Sequence, residues 1–446
     1  MTTILRLQTG LTRRFLPLVS LALLLPAAVA APVIKSVGFA RPSRGQVGSL
    51  MIVMADGLAE PVKVYFSDGT NPTVAADPAF VDTARGLLGV FVPASAKPGY
   101  LKVTANGVDS TLFFFRVPPG TFDLGPNVVS GQVLSGATGV AGAVVVALRA
   151  TGCGGNEDQV WNTATTDAAG NFSLLTNNGD FQLMAFPPFA GGLAVGSVRL
   201  QVTGSTSTQI NLSAGNTVTG QVIDATTLAP VQGAMVQVHG PGFDMAFTDG
   251  TGHFTLHLAP GTYPYEITPP VEGVQALLTG SFDVSTDSNQ DLGTFPLVSA
   301  GAVLHGTVTK RNNGLPLPGA QINVTPPNQG DQSLDRETVA GDGSYGLHVP
   351  ATGTYQIGIW FDDDSRLVDV SNNSFPIDSS DVTYNFLIDD AGTISGTVLD
   401  HASQQPIART QVQASTALLQ QNSTQYWAQT CNDGSYKVRV LPGSQP

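Results

Sequence analysis

Apolar and polar residues alternate along most of this chain in runs of about five to eight, and glycine, proline and aspartate end the runs. Alternation with period two is the mark of strands with one face buried, and the punctuating residues are turn formers. One phrase recurs four times: Val129-Ser130-Gly131-Gln132-Val133, Val218-Thr219-Gly220-Gln221-Val222, Leu304-His305-Gly306-Thr307-Val308 and Ile394-Ser395-Gly396-Thr397-Val398. Its first, third and fifth residues share one strand face. The glycine at mid-strand predicts a neighbouring side chain or backbone that approaches closely. The glycines stand at 131, 220, 306 and 396, a step of about ninety residues, which is too long for a solenoid rung and fits a small domain.

The rest of each copy follows the same order. A second strand is predicted where Gly142-Ala143-Val144-Val145-Val146-Ala147 matches Gly233-Ala234-Met235-Val236-Gln237-Val238 and Gly319-Ala320-Gln321-Ile322-Asn323-Val324. The alternating sets Ala234/Val236/Val238, Ala320/Ile322/Val324 and Thr410/Val412/Ala414 should face the cores. A tight turn follows at Asp167–Gly170, Asp249–Gly252, Asp342-Gly343 and Asp433-Gly434, with aspartate capping the turn and glycine supplying positive φ. An aromatic then opens another alternating strand, led by Phe172, Phe254, Tyr345 and Tyr436. Further turns stand at Gly179-Asp180-Phe181, Pro260-Gly261-Thr262-Tyr263 and Gly353-Thr354-Tyr355.

Taken together, apolar-x-Gly-x-Val, Pro-x-x-Gly-Ala-x-Val, Thr-Asp-Gly-x-Gly-x-Phe and Pro-Gly-x-Tyr resemble the carboxypeptidase regulatory-like domain, with its prealbumin-like and collagen-adhesin B-type relatives. The second copy carries the motif best, through Pro230, Gly233, Thr248 and Asp249; in the fourth, Arg409 and Thr410 replace Gly-Ala. The resemblance implies a β-sandwich of seven or eight strands per copy, in secreted or surface proteins where such domains are often non-catalytic appendages. Ahead of the copies, Pro32–Val37, Gly48–Ile52, Asp56-Gly57-Leu58, Val64–Ser67, Val90–Pro93 and Pro98–Val103 resemble the IPT/TIG immunoglobulin-like domain, although Ala55 stands where glycine is common. The fold class expected is therefore all-β, a tandem array of immunoglobulin-like and prealbumin-like β-sandwich domains. The units expected are a signal peptide at 1–30, an IPT/TIG-like domain at 32–118, and regulatory-like sandwiches at 127–213, 216–298, 301–389 and, in part, 392–446. They are expected to stand as independent beads. The fourth copy halts at the turn Leu441-Pro442-Gly443. A truncated gene product is the expectation there, and an edge that takes a strand from a partner is the alternative.

Arg6, Arg13 and Arg14, the apolar stretch Phe15–Leu25 and the small residues Ala28-Val29-Ala30 read as a signal peptide cut after Ala30. No later apolar run is long enough to span a bilayer. The chain has a net charge of −13, and loss of the three leader arginines takes it to −16, which argues against nucleic acid as a partner. The two cysteines, Cys153 and Cys431, fall in different copies, so no copy can staple itself. A bridge between them would fold the array back on itself; two unpaired thiols are the other reading.

Candidate chemistry is sparse. His253 and His257 would lie about 13 Å apart on a strand, at ~3.3 Å per residue, too far to share a metal. Asp362-Asp363-Asp364 with Asp369 lacks the alternating ligand spacing of a calcium loop and reads as a solvated turn. No Gly-x-Ser-x-Gly, His-Glu-x-x-His or Gly-x-x-x-x-Gly-Lys occurs. No catalytic residue, metal or cofactor is expected. Trp161 and Trp427 each precede the turn aspartate by the same interval, with Phe243 and Arg336 in the corresponding places. Trp161, Phe243 and Trp427 are thus either packing residues or a platform on which sugar rings stack. The function expected is a secreted or cell-surface spacer, adhesion or binding module, non-catalytic, with an extracellular protein or polysaccharide as partner. A carbohydrate-binding array is the alternative, and a non-catalytic appendage of a secreted hydrolase the third reading.

Overall fold

The structure, a computed structural model, describes residues 31–37, 44–150, 158–270, 275–285, 289–326, 334–361, 366–415 and 425–441. Among these the architecture is all-β, a tandem array of β-sandwiches, and the one helical element is the 3₁₀ turn Phe189–Gly191. No helix among the described residues is long and apolar enough to cross a membrane.

The first sandwich has one sheet ordered Val33–Val37, Leu50–Asp56, Leu87–Phe91, Phe80–Asp82. Its second sheet is built on Pro72–Ala76, Val62–Ser67 and Gly99–Ala105. In each of the next three units the recurring phrase forms the middle strand of one sheet: Asn127–Ser135, Asn216–Asp224 and Ala302–Lys310. On one side it meets the aromatic-led strand antiparallel, and on the other a closing strand parallel. The register repeats, with Val133 beside Ile210, Val222 beside Phe295 and Val308 beside Phe386. All six residues are buried. The facing sheet has four strands in each case, with the second strand of the copy between two antiparallel neighbours.

The mid-strand glycine does what its place in the strand predicts. A Cβ on Gly220 would lie 2.6 Å from the Phe254 ring and 2.8 Å from that of Phe295, and real Cβ atoms do not come so near, so a larger residue would push the closing strand away. The turn aspartates also behave as read. Asp249 Oδ1 accepts from the amides of Thr251 and His253, and Asp342 and Asp433 each accept from the serine amide two residues on. Gly252, Gly343 and Gly434 close these turns at φ of 77°, 85° and 73°.

The expectation of independent beads fails. One hydrophobic cluster joins Leu50, Ile52, Met54 and Leu87 of the first unit, Val146, Leu148, Val160, Met184 and Phe186 of the second, and Met235 and Met245 of the third. The strand Leu50–Asp56 is therefore buried on both faces, one against its own sandwich and one against its neighbours. The fourth regulatory-like unit is also not a free bead. Its Asn432 donates to Asp180 of the first such unit at 2.9 Å, across nearly the whole array. Cys431 beside it is disulfide-bonded, while Cys153, the other cysteine of the sequence, lies outside the described residues. In this unit Gly392–Thr397 pairs with Ser435–Val440 and Gln411–Ser415 with Gln425–Gln429, and no further strand joins either pair among the described residues.

Candidate functional site: a charged junction of three sandwiches

The candidate stacking residues part company. Trp161 is only 3% exposed and belongs to the core of its own sandwich. It sits at a β-bulge, where Val160 pairs with Leu148 and Asn162 with Ala147, which turns both Val160 and Trp161 into apolar surroundings. Its Nε1 donates to the Leu124 carbonyl at 3.0 Å, and Phe122, Phe181 and the Arg149 guanidinium surround the ring. No face is left for a sugar, so Trp161 is a packing residue. Phe243 is half-buried in the cluster shared by three units, edge-on to Phe186 with ring centroids 6.1 Å apart. Arg336, the counterpart in the next copy, reaches across to pair with Glu266 of the preceding sandwich. The position is thus used for contacts between units. Trp427 lies in the strand Gln425–Gln429 opposite Gln413, and its side chain is outside what is described.

The other residues considered for metal binding are also placed. His253 is exposed and shares a hydrogen bond with Thr251, whereas His257 on the same strand is buried. Asp362, Asp363 and Asp364 lie outside the described residues, and Asp369 pairs with Arg439. Among the described residues no group of three or more His, Cys, Asp and Glu side chains is placed to hold a metal ion.

What the sequence reading missed is an ion pair buried where three sandwiches meet. Arg85, in the loop before Leu87–Phe91, is fully buried. Its Nε donates to Asp244 Oδ1 at 2.7 Å, and its Nη1 donates to Asp82 Oδ2 at 2.7 Å and to the Pro187 carbonyl at 3.0 Å. The guanidinium lies 5.1 Å from the centre of the Phe189 ring. Asp244, also fully buried, opens the strand Asp244–Phe247, and its Oδ2 accepts the His257 amide at 2.8 Å. Arg85 belongs to the first unit, Pro187 and Phe189 to the second, and Asp244 to the third. Burial pushes the Asp244 carboxyl upward against the opposing pull of Arg85. Desolvation likewise works against the Arg85 charge, but the two carboxylates outweigh it and hold the guanidinium charged. His257 is pushed down, first by burial and further by Arg85, with Asp244 opposing. Its Nδ1 and Arg85 Nη2 are buried without a partner among the described residues.

A signal for this junction was present in the sequence. Leu50-Met51-Ile52-Val53-Met54-Ala55 is a continuous apolar run rather than an alternation, and so is Val144-Val145-Val146-Ala147-Leu148. Such runs mark strands covered on both faces. Lone Arg85 and Asp244 carry no comparable mark.

A shallow groove of about 580 Å³ lies on the outer face of the first regulatory-like sandwich. Ser130, Gln132, Asn171, Ser207 and Gln209 line it beside Gly131 and Phe172. It carries hydroxyls and amides and no charge.

No family model matches the sequence, and no curated protein matches it significantly. Among solved structures the chain is similar to the Bacillus anthracis TIE protein, at 13% identity over 80% of this chain and 75% of that one, with a TM-score of 0.20. It is similar also to a streptococcal ancillary pilin, at 11% identity over 59% and 98%, TM-score 0.19. A third is the shaft pilin SpaA of Lactobacillus rhamnosus GG, at 14% identity over 39% and 97%, TM-score 0.19. Scores this low carry no argument about role.

Proposed function

We propose that the chain is a non-catalytic, secreted or cell-surface structural module, whose task is to present or space binding surfaces. The observation that carries this is the junction: two fully buried charges and an apolar cluster hold three sandwiches in one arrangement. A rigid arrangement of domains positions loops and edges for non-covalent recognition. The leader ending at Ala30 supports export, and the net charge of −16 left once its three arginines are removed supports a solute that stays dispersed outside the cell. Within this reading the first unit is IPT/TIG-like at 32–118. Regulatory-like domains follow at 127–213, 216–298 and 301–389, with a partial one at 392–446.

Export from a bacterial host and N-terminal sequencing of the product test the first half of the reading, and a chain starting at Ala31 is expected. Retention of the leader in the cytoplasm would sink it. Beads coated with the mature protein should adhere to extracellular protein or polysaccharide surfaces. Hydrolysis of any polymer by the purified protein would replace this reading with an enzymatic one.

The uncharged groove around Gly131 favours a second reading, in which a neutral glycan is held by hydroxyls and amides. A glycan array probed with wild type, Gln132→Ala and Trp427→Ala separates the two. Binding lost in either variant supports the glycan reading, and no binding by wild type retires it.

A further inference from the structure

We infer that Trp360, on the outer face of the third regulatory-like sandwich, is a stacking platform for a neutral polysaccharide whose pyranose rings carry equatorial hydroxyls. The ligand class rests on the glycan reading above, but the site lies on a different sandwich from the groove around Gly131.

The three copies put different residues at the same place on the facing sheet. Val144 pairs with Phe186, Met235 with Thr268, and Gln321 with Trp360. In the first two copies this outer face is apolar and covered: Val146, Phe186, Met235 and Met245 all belong to the cluster shared by three units. In the third copy the face is polar. It carries Gln321 and Asn323, with Thr338 and Arg336 opposite them on the edge strand Asp335–Thr338. Trp360 stands among these residues 36% exposed, where Trp161 is buried in a core. The face that joins units in the earlier copies is thus rebuilt here with a single aromatic ring on a polar ground.

The chain also makes room for that ring. A Cβ built on Gly358 would press into Cη2 of Trp360, with Cζ2 and Cζ3 almost as near, at 2.5 and 2.6 Å. Three neighbouring ring atoms so close to one point put the point over the face of the ring, not beyond its edge. The indole therefore lies flat on the backbone of its own strand and turns its other face outward. Among the described residues no ring or cation stacks on it, and its N–H has no partner. Gln321 Nε2 donates to Thr338 Oγ1 at 2.8 Å, which leaves the amide oxygen as an acceptor. Ser371, exposed, stands beside Gly358 on the other neighbouring strand. Arg336 is engaged by Glu266.

A pyranose with equatorial hydroxyls has axial C–H groups on its two faces and hydroxyls around its edge. The faces suit an exposed indole, and the edge suits amides and hydroxyls that can donate and accept. A protein partner anchored on a tryptophan would call for apolar surface continuing around it, and here the apolar surface stops at the ring. The negative net charge of the chain favours a neutral polymer over an acidic one.

The sequence contains three tryptophans, so the exported chain labelled with 5-fluorotryptophan gives one fluorine resonance for each, assigned with Trp→Phe variants. Cellohexaose should move the Trp360 resonance and leave that of Trp161 in place. Trp360→Ala should weaken binding about tenfold or more, with thermal unfolding close to wild type because the ring is exposed. Gly358→Ala keeps the indole but lifts it off the strand, and should weaken binding severalfold. A Trp360 resonance unmoved by both cellohexaose and xylohexaose overturns the inference, and so does an equal response to oligogalacturonate, an acidic pyranose chain. Adhesion to a protein-coated surface that is lost in Trp360→Ala, with both neutral sugars ignored, would make Trp360 a protein-docking residue instead. If Gln132→Ala abolishes cellohexaose binding and the Trp360 resonance never moves, the groove stands and this site falls. If the Trp360 shift is the same in Gln132→Ala as in wild type, this site stands without the groove.

Discussion

Leu304 and Ile394 hold the same place in the same five-residue phrase, yet Leu304 is fully buried and Ile394 is 47% exposed. Around Leu304 the opening strand has neighbours on both sides, the aromatic-led strand and the closing strands Asp381–Thr383 and Phe386–Ile388. Around Ile394 only Ser435–Val440 is paired among the described residues. Both phrases make a strand with the same antiparallel partner and the same mid-strand glycine. Local pattern thus decides that a strand forms, whereas burial is conferred by residues tens of positions away. The same contrast separates the two ends of the molecule. The first three sandwiches share an apolar cluster and a buried ion pair. The last unit is held by Arg439 on Asp369 and the Phe361 carbonyl, by a small cluster around Val368, Tyr426 and Val438, and by Asn432 on Asp180.

Breaking the buried pair should show the contrast most strongly. Asp244→Ala leaves the Arg85 charge buried with one carboxylate fewer, and loss of one partner of such a pair costs about 3–5 kcal/mol. We expect hydrogen exchange to rise in Leu50–Asp56, Gly179–Phe186 and Asp244–Phe247 together, with Gly392–Thr397 unchanged. Arg85→Met with Asp244→Leu should lose much less than the single change, because no unpaired charge remains. Equal loss in the single and double variants would show that shape, not charge, holds the junction.

Next in size is the matched pair at the head of the recurring phrase. Leu304→Ala should cost about 2–5 kcal/mol, as truncations in a packed core do, and Ile394→Ala about 0.5 kcal/mol or less. Thermal unfolding followed by segment-resolved hydrogen exchange reads both. Similar losses at the two positions would mean that Ile394 is covered in solution.

How much of this was legible in the sequence differs by feature. The strands, the turn aspartates and the mid-strand glycines were legible because each depends on residues within a few positions: Asp249 caps a turn whose amides are two and four residues on. The shared cluster was half legible. The unbroken apolar runs at Leu50–Ala55 and Val144–Leu148 announced two covered faces but not what covers them. Trp161 was ambiguous because a bulge, which the alternation does not reveal, decides where it points. The pairing of Arg85 with Asp244 joins residues about 160 positions apart, and neither residue type is unusual where it stands.

Acidification sharpens the comparison at a smaller scale. The folded molecule depresses His257 and His239, each chiefly by burial, below the ordinary value of 6.5. A histidine with a lowered folded pKa binds protons more readily when unfolded, so its contribution is whole above about pH 6.5 and declines as pH falls through that value. The groups facing His257 are Asp244, Arg85 and the Phe189 ring, 4.5 Å between centroids. Between pH 7.5 and 5.5 the junction strands should therefore lose protection while Gly392–Thr397 does not. The fall should amount to about 1 kcal/mol per histidine at most, and His257→Gln should flatten it. An acid-induced change of the same size in His257→Gln and in wild type would contradict the burial assigned to that ring.

The smallest effect expected is one that should not differ between the two regions. Asp249 and Asp433 sit at equivalent turns, exposed, and each carboxyl is held below the usual carboxylate range, first by the hydroxyl of the residue two positions on, Thr251 or Ser435. The hydrogen bonds are local: Thr251 Oγ1 to Asp249 Oδ1 at 2.7 Å, and Ser435 Oγ to Asp433 Oδ1 at 2.6 Å. Exposed bonds of this kind contribute about 1 kcal/mol or less. Asp249→Ala and Asp433→Ala should thus cost the same small amount, although one turn belongs to a complete sandwich locked into the junction and the other to the sparsely paired last unit. The contribution is present above the ordinary carboxylate pKa and fades as pH falls through the lowered one, so the two wild-type turns should lose protection over the same acidic range. If Asp433→Ala proved several times more costly than Asp249→Ala, the turn would be supporting the neighbouring Asn432 contact and Cys431 bond as well as itself, and the division between local and long-range contributions drawn from Leu304 and Ile394 would have to be given up at that turn.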